Sequence, residues 1–134
     1  VEVLGTRIKL IHNRQDKAGG KTKTDHKYWT FDNCFGPTKT QQDVFADTER
    51  LVQSAIDGYN VCIFAYGQTG AGKTFTMAGS DGDPGILPRT IDKLFENVQQ
   101  EKERCHISME LYMCELYLDT LVDLLAQPSK TKKP

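Results

Sequence analysis

No uninterrupted apolar run among the 134 residues approaches the length of a membrane span, and no charged-then-apolar leader opens the chain. Neither a spanning helix nor a secretory signal is expected, and the protein reads as cytosolic. A strong charge bias is missing as well. The formal net charge of -1 gives no global attraction to nucleic acid or to an anionic lipid surface, so neither is expected as a partner. Cysteine is sparse and carries no C-x-x-C pair: Cys34, Cys62, Cys105 and Cys114 are expected to be free thiols rather than disulfides. The length suits one small domain and argues against a split into two.

What is present is concentrated in eight consecutive residues. Gly67, Gln68, Thr69, Gly70, Ala71, Gly72, Lys73 and Thr74 fill the pattern G-x-x-x-x-G-K-[ST]. Glycines let the backbone wrap a phosphate without a Cβ in the way and turn N–H groups toward its oxygens. The lysine brings a mobile positive charge to the outer phosphates, and the hydroxyl of Thr74 is a ligand for Mg²⁺. Ordinary residue usage would produce the pattern by chance in a chain this long about half a per cent of the time. Context strengthens it, because Val61-Cys62-Ile63-Phe64-Ala65-Tyr66 directly precedes the loop and reads as a buried central strand. After the loop, Phe75-Thr76-Met77 can make a first helical turn. Gly79, Gly82, Pro84 and Gly85 forbid a long helix there.

Elsewhere the periodicity changes along the chain. Short alternations on either side of Gly5 (Val1, Val3; Ile8, Leu10) predict a small β-hairpin, and residues 13–27 read as a polar, basic loop with Arg14, Lys17, Lys21, Lys23 and Lys27. Tyr28-Trp29-Thr30-Phe31 resumes strand character. From Gln41 the spacing of Val44, Phe45, Thr48, Leu51, Val52, Ala55 and Ile56 predicts a helix of about four turns, capped by Thr40 or Thr38 and ended at Gly58. Asp43, Asp47, Glu49 and Arg50 fall on its wet face. A second helix is expected from Pro88, with a stripe of Ile91, Leu94, Phe95 and Val98. Residues 107–118 alternate as a strand, with Met109 and Met113 as core filling, and residues 121–125 read as a helical turn. Ser129 to Pro134 is a basic polar tail.

These residues resemble one family. The stretch GYNVCIFAYGQTGAGKTFTMAG, residues 58–79, is similar to the nucleotide-binding segment of kinesin motor domains. FDNCF and TQQDVF upstream, with PGILPR and ELYLDTLVDLL downstream, extend the resemblance from Tyr28 to Leu125. The wording of LVQSAIDGYNVCIFAYGQTG and YMCELYLDTLVDLL is closest to the carboxy-terminal-motor kinesins of the calmodulin-binding type. One departure falls in ELYLD, where the family usually has Asn in place of Leu118.

The resemblance implies a fold class: α/β, part of the three-layer α-β-α phosphate-loop motor fold, with its central sheet incomplete. Residues 1–27 would be a hairpin and basic loop, 28–125 the nucleotide-binding core part, and 126–134 the tail. It also implies ATP and Mg²⁺ as cofactors. Gly67 to Thr74 would hold the α- and β-phosphates, Lys73 would reach the β- and γ-phosphates as the one catalytic-site residue here, Thr74 would bind the metal, and Phe75 would lie against the adenine ring. Function would be that of a microtubule-stimulated ATPase acting on tubulin polymers in the cytoplasm, with coiled coil elsewhere in the parent and calmodulin as a further candidate partner.

Both nucleotide-sensing switches of the family would lie beyond Pro134, and its opening strand before Val1. On that ground residues 1–134 alone are expected to be marginally folded and to turn over little ATP. Two other readings stand beside this one: a non-motile nucleotide- and microtubule-binding relative, and a small phosphotransferase. The latter needs an arginine-rich lid, and only Arg89 and Arg104 follow the loop.

Overall fold

The computed structural model describes residues 1–14 and 23–126, which belong to two compact units, Val1–Asn97 and Val98–Pro134. In the first unit, β1 (Glu2–Leu4) and β2 (Arg7–Arg14) form the expected hairpin, with Val3 opposite Ile8. Gly5 makes its turn at φ +63, a left-handed conformation that glycine adopts freely. β3 (Lys23–Thr30) pairs antiparallel along β2 from Arg7↔Thr30 to Arg14↔Lys23, giving sheet order β1-β2-β3. Residues 13–14 and 23–27 are therefore strand and not loop, and the middle of that basic stretch, residues 15–22, lies outside the described residues. The cause is a polar ladder: Asn13 faces Thr24, whose hydroxyl donates to the Asn13 side-chain oxygen at 3.0 Å, and both are exposed. A strand wet on both faces has no apolar period to read.

A reciprocal cap starts α1 (Gln41–Ile56). Thr40 Oγ1 accepts from Asp43 N–H at 3.2 Å, and the Asp43 carboxylate accepts from Thr40 N–H at 2.8 Å. Asp43 thus does more than sit on a wet face. Its carboxyl is held below the ordinary carboxylate range, first by the Thr40 backbone N–H, then by the Thr40 hydroxyl and by Lys39. Gln41, Phe45 and Val52 are buried along one stripe, while Leu51 and Ala55 of the expected stripe are exposed. Gly58, at φ +98, follows the helix as expected and donates its N–H to Ala55 O at 3.1 Å.

The helix does not lead into a strand. Residues 61–66 pair with no strand among the described residues, and Phe64 and Tyr66 are 88% and 101% exposed, which corrects the expected dry central strand. β-branched and aromatic residues favour a strand only when a neighbour supplies the ladder bonds and a surface to pack on.

α2 (Lys73–Ala78) has six residues, as short as the following glycines and proline require. β4 (Gly79–Ser80) and β5 (Asp83–Pro84) then pair as a minimal hairpin, and α3 (Ile86–Glu101) begins at once with Pro88 in its first turn. Ile86 is buried, but Ile91 and Phe95 of the expected stripe are exposed. Two links join α3 to α1: the Arg89 guanidinium donates to Gln42 Oε1, and Lys93 Nζ lies 2.9 Å from Glu49. Beside that carboxylate the Lys93 ammonium is held above its ordinary range.

In the second unit, β6 (Cys114–Tyr117) and β7 (Thr120–Asp123) form a hairpin with Tyr117 opposite Thr120. Two expectations change here. The strand read over residues 107–118 is confined to β6, and residues 121–125, read as a helical turn, contribute β7. The turn explains both. Leu118 and Asp119 have φ of +45 and +62, and a two-residue connection with both φ positive has the twist that antiparallel strands need. Met109 and Met113, read as core filling, are exposed. Residues 127–134, almost all of the expected tail, lie outside the described residues. Among the described residues the buried apolar side chains are Phe45, Val52 and Ile86, and no helix is long and apolar enough to cross a membrane. All four cysteines are free thiols.

Candidate functional site

The glycine-rich loop runs directly into α2, and its glycines take conformations that the pattern calls for. Gly70 and Gly72 stand at φ +80 and +88, and a Cβ on either would meet open space. Their constraint is therefore backbone conformation and not crowding. Gly72 is the N-cap of α2 and brings no side chain to cap it. The first N–H to close onto the loop is that of Thr76, on Gly72 O at 2.9 Å. Earlier in the helix, the N–H groups of Lys73, Thr74 and Phe75 have no intrahelical acceptor, as at any helix start, and can serve an anion. Ala71 N–H closes a tight turn on Gln68 O at 3.1 Å.

Lys73 is already turned over this loop. Its ammonium donates to Gly67 O at 2.9 Å and to Gln68 O at 2.8 Å, so its charge sits across the loop on neutral carbonyls. A phosphate oxygen would replace neutral acceptors with a charged one, which makes the stronger hydrogen bond. Thr74 is exposed, with its hydroxyl open to a ligand, and Phe75 is 50% exposed with its ring accessible to a flat partner. No group of three His, Cys, Asp or Glu side chains among the described residues could hold a metal by itself. Mg²⁺ needs no such group, because it keeps several waters and takes one or two protein oxygens beside the phosphates it binds. The residues present fit a Mg²⁺–triphosphate.

Two side chains that tie down the segment around α2 were given no such role by the motif. Gln41, 5% exposed, donates from Nε2 to Phe75 O at 2.6 Å. Arg89 Nε donates to Pro84 O at 2.8 Å, its guanidinium also reaches Gln42, and Asp83 lies 3.8 Å from it. Behind α2, Gly79 and Gly85 pack backbone to backbone: a Cβ on Gly85 would lie 2.6–2.7 Å from Thr76 O, Gly79 N and Met77 O. One signal for Gln41 was in the sequence, since it lies four residues before Phe45 and so on the same buried stripe.

The sequence pattern of kinesin motor domains matches residues 3–134. Kinesin-like protein KIN-14I of Oryza sativa subsp. japonica is 51% identical over 105 residues, which are 78% of this chain and 8% of that protein. KIN-14M of Arabidopsis thaliana is 42% identical over 130 residues, 94% of this chain and 16% of that protein. Among solved structures, the motor domain of a Kar3-like kinesin from Ashbya gossypii has a TM-score of 0.66 at 35% identity, covering 87% of this chain and 40% of the other. A KIF14 structure with ADP in complex with a microtubule has a TM-score of 0.67 at 26% identity, covering 99% and 37%. The chain thus spans 8–16% of these curated relatives and about two fifths of the solved motors.

Proposed function

This chain belongs to the kinesin motor domain family, and from that membership we propose that it is the ATP-binding part of a motor that couples ATP hydrolysis to movement along microtubules. Its fold is a portion of the α/β kinesin motor fold with the central sheet incomplete, and its plant KIN-14 relatives agree with the carboxy-terminal-motor group to which the sequence pointed. One observation carries the reading of the site: two left-handed glycines lead into α2 with the Lys73 ammonium already across the loop.

That arrangement supports the roles which the family resemblance implies. Backbone N–H groups of Gly67, Gln68, Thr69, Gly70 and Gly72, together with those at the start of α2, hold the α- and β-phosphates, and Ala71 N–H joins them only on leaving its turn with Gln68 O. Lys73 moves from the loop carbonyls to the β- and γ-phosphate oxygens, Thr74 offers its hydroxyl to Mg²⁺, and Phe75 meets the adenine ring. The metal supplies charge neutralisation between the phosphates. Placing the attacking water and stabilising charge at the γ-phosphate falls to groups outside this loop, so turnover belongs to the full-length protein. Its partners are tubulin polymers, with calmodulin a further candidate from the likeness to the calmodulin-binding type; its place is the cytoplasmic microtubule cytoskeleton. A small phosphotransferase is disfavoured because Arg89 is engaged with Pro84 and Gln42, and Arg104 lies 2.8 Å from Glu101.

Calorimetric titration of the full-length protein with ATP and Mg²⁺ tests this. We expect binding, reduced about tenfold or more in Lys73→Ala, the scale of a hydrogen bond to a charged group. No adenine nucleotide affinity, or an affinity that Lys73→Ala leaves unchanged, would overturn the reading.

A further inference from the structure

Gln41 is the buried polar side chain among the described residues, and it makes a contact that nothing in its own helix requires. Its carboxamide reaches across 34 positions of sequence to Phe75 O at 2.6 Å. That carbonyl already accepts the N–H of Gly79, the residue that closes α2, so the helix bond is complete without Gln41. The second donor therefore does something else. It ties the Phe75 backbone to the start of α1, and that start is itself fixed by the reciprocal Thr40–Asp43 cap one residue earlier. Phe45 is buried one turn further along the same stripe of α1. α2 has six residues, fewer than an isolated helix needs to hold itself, and its position depends on such external ties.

We infer that Gln41 is a positioning residue: its hydrogen bond to Phe75 O sets where the Phe75 ring stands, and thereby the share of nucleotide affinity that comes from the base and not from the phosphates. This assignment rests on the nucleotide reading above and goes beyond it. The phosphate cradle is held by other means, namely the conformations of Gly70 and Gly72 and the reach of Lys73. At the far end of α2 a separate tie operates, through Arg89 on Pro84 O and the packing of Gly85 on Gly79. Loss of the Gln41 donor should loosen the base side and leave the phosphate side in place.

The test uses the full-length protein and two probes, ATP and inorganic tripolyphosphate, each with Mg²⁺ and each titrated calorimetrically. Gln41→Met keeps the volume and removes the donor, so the buried stripe stays filled. We expect Gln41→Met to weaken ATP binding about 3- to 10-fold, the effect of one neutral hydrogen bond, and to leave tripolyphosphate within twofold. Phe75→Ala should give the same preference loss, and the double variant should lose no more than Phe75→Ala alone, because both changes act through one ring. Unchanged ATP affinity in Gln41→Met overturns the assignment. So does an equal loss for ATP and tripolyphosphate, which would make Gln41 a general support, and so does additivity with Phe75→Ala. Wild-type protein that binds neither probe removes the nucleotide reading and this assignment with it, whereas binding of tripolyphosphate without preference for ATP removes the assignment alone.

Discussion

Replacing Gly85 by alanine should disturb the helix that begins at the glycine-rich loop, although residue 85 lies outside the loop itself. The added Cβ would sit 2.6 Å from Thr76 O and 2.7 Å from both Gly79 N and Met77 O, where real Cβ contacts are essentially never below 3.0 Å. All three neighbours are backbone, so each must retreat by about 0.3–0.4 Å and none can rotate aside. Overpacking of this kind costs about 1–3 kcal/mol. Converted at about 1.4 kcal/mol per factor of ten, local opening of α2 becomes roughly 5- to 150-fold more frequent. Amide hydrogen exchange in the full-length protein reads this directly. The Thr76 N–H on Gly72 O and the residue 85 N–H on Ala78 O should both exchange faster by that factor. Gly36→Ala supplies the comparison, since its Cβ meets nothing closer than Val3 Cβ at 3.9 Å, and its effect should stay within about 0.5 kcal/mol. Gly72→Ala should fall between them: open space surrounds it, but φ +88 costs an alanine about 1–2 kcal/mol. Indistinguishable exchange in Gly85→Ala and Gly36→Ala would show that the close backbone packing behind α2 is not what holds it.

The β6–β7 turn offers a stabilising change. Leu118 is 79% exposed at φ +45, so Leu118→Asn removes no burial and places a residue suited to that conformation; about 0.5–1 kcal/mol is expected, seen as roughly 2- to 5-fold slower exchange of Leu124 N–H, which donates to Met113 O. Asp43 makes the start of α1 sensitive to acid. Its folded-state carboxyl is depressed, so its contribution is complete above the ordinary aspartate range and is lost as pH falls from about 4 through the lowered folded value. Protection of the amides in the first turns of α1, relative to their intrinsic exchange at each pH, should fall over that window in wild type and much less in Asp43→Asn; equal acid sensitivity would refute the cap's role.

How much could be read ahead of the structure depended on whether the deciding interaction was local. α1 was legible because a cap residue, part of its stripe and its stop are written within a single helix: Thr40, Phe45 with Val52, and then Gly58, whereas the share of Asp43 in the cap was not read. The brevity of α2 was legible for the same reason, as glycines and Pro84 follow it immediately. The loop residues were legible because left-handed backbone at Gly70 and Gly72 demands glycine whatever surrounds it. Leu118 hid the β6–β7 turn, since leucine gives no sign of positive φ, and the apolar letters after it suggested a helix instead. The burial of Gln41 had a local signal, but the partners of Gln41 and Arg89 were out of reach, because Phe75 and Gln42 lie 34 and 47 positions away.

Residues 61–66 show why a strong local signal can still fail. Their composition is that of a central strand, yet a strand is a relation between two segments, and no described segment lies alongside to accept the ladder. The loop beside them keeps its form without that support because glycine conformation, the Lys73 bonds and the ties from Gln41 and Arg89 are each formed within Val1–Asn97. The site and the sheet therefore have separable causes. The loop's shape is built from short-range and side-chain contacts in this segment, whereas residues 61–66 find no ladder partner among the described residues.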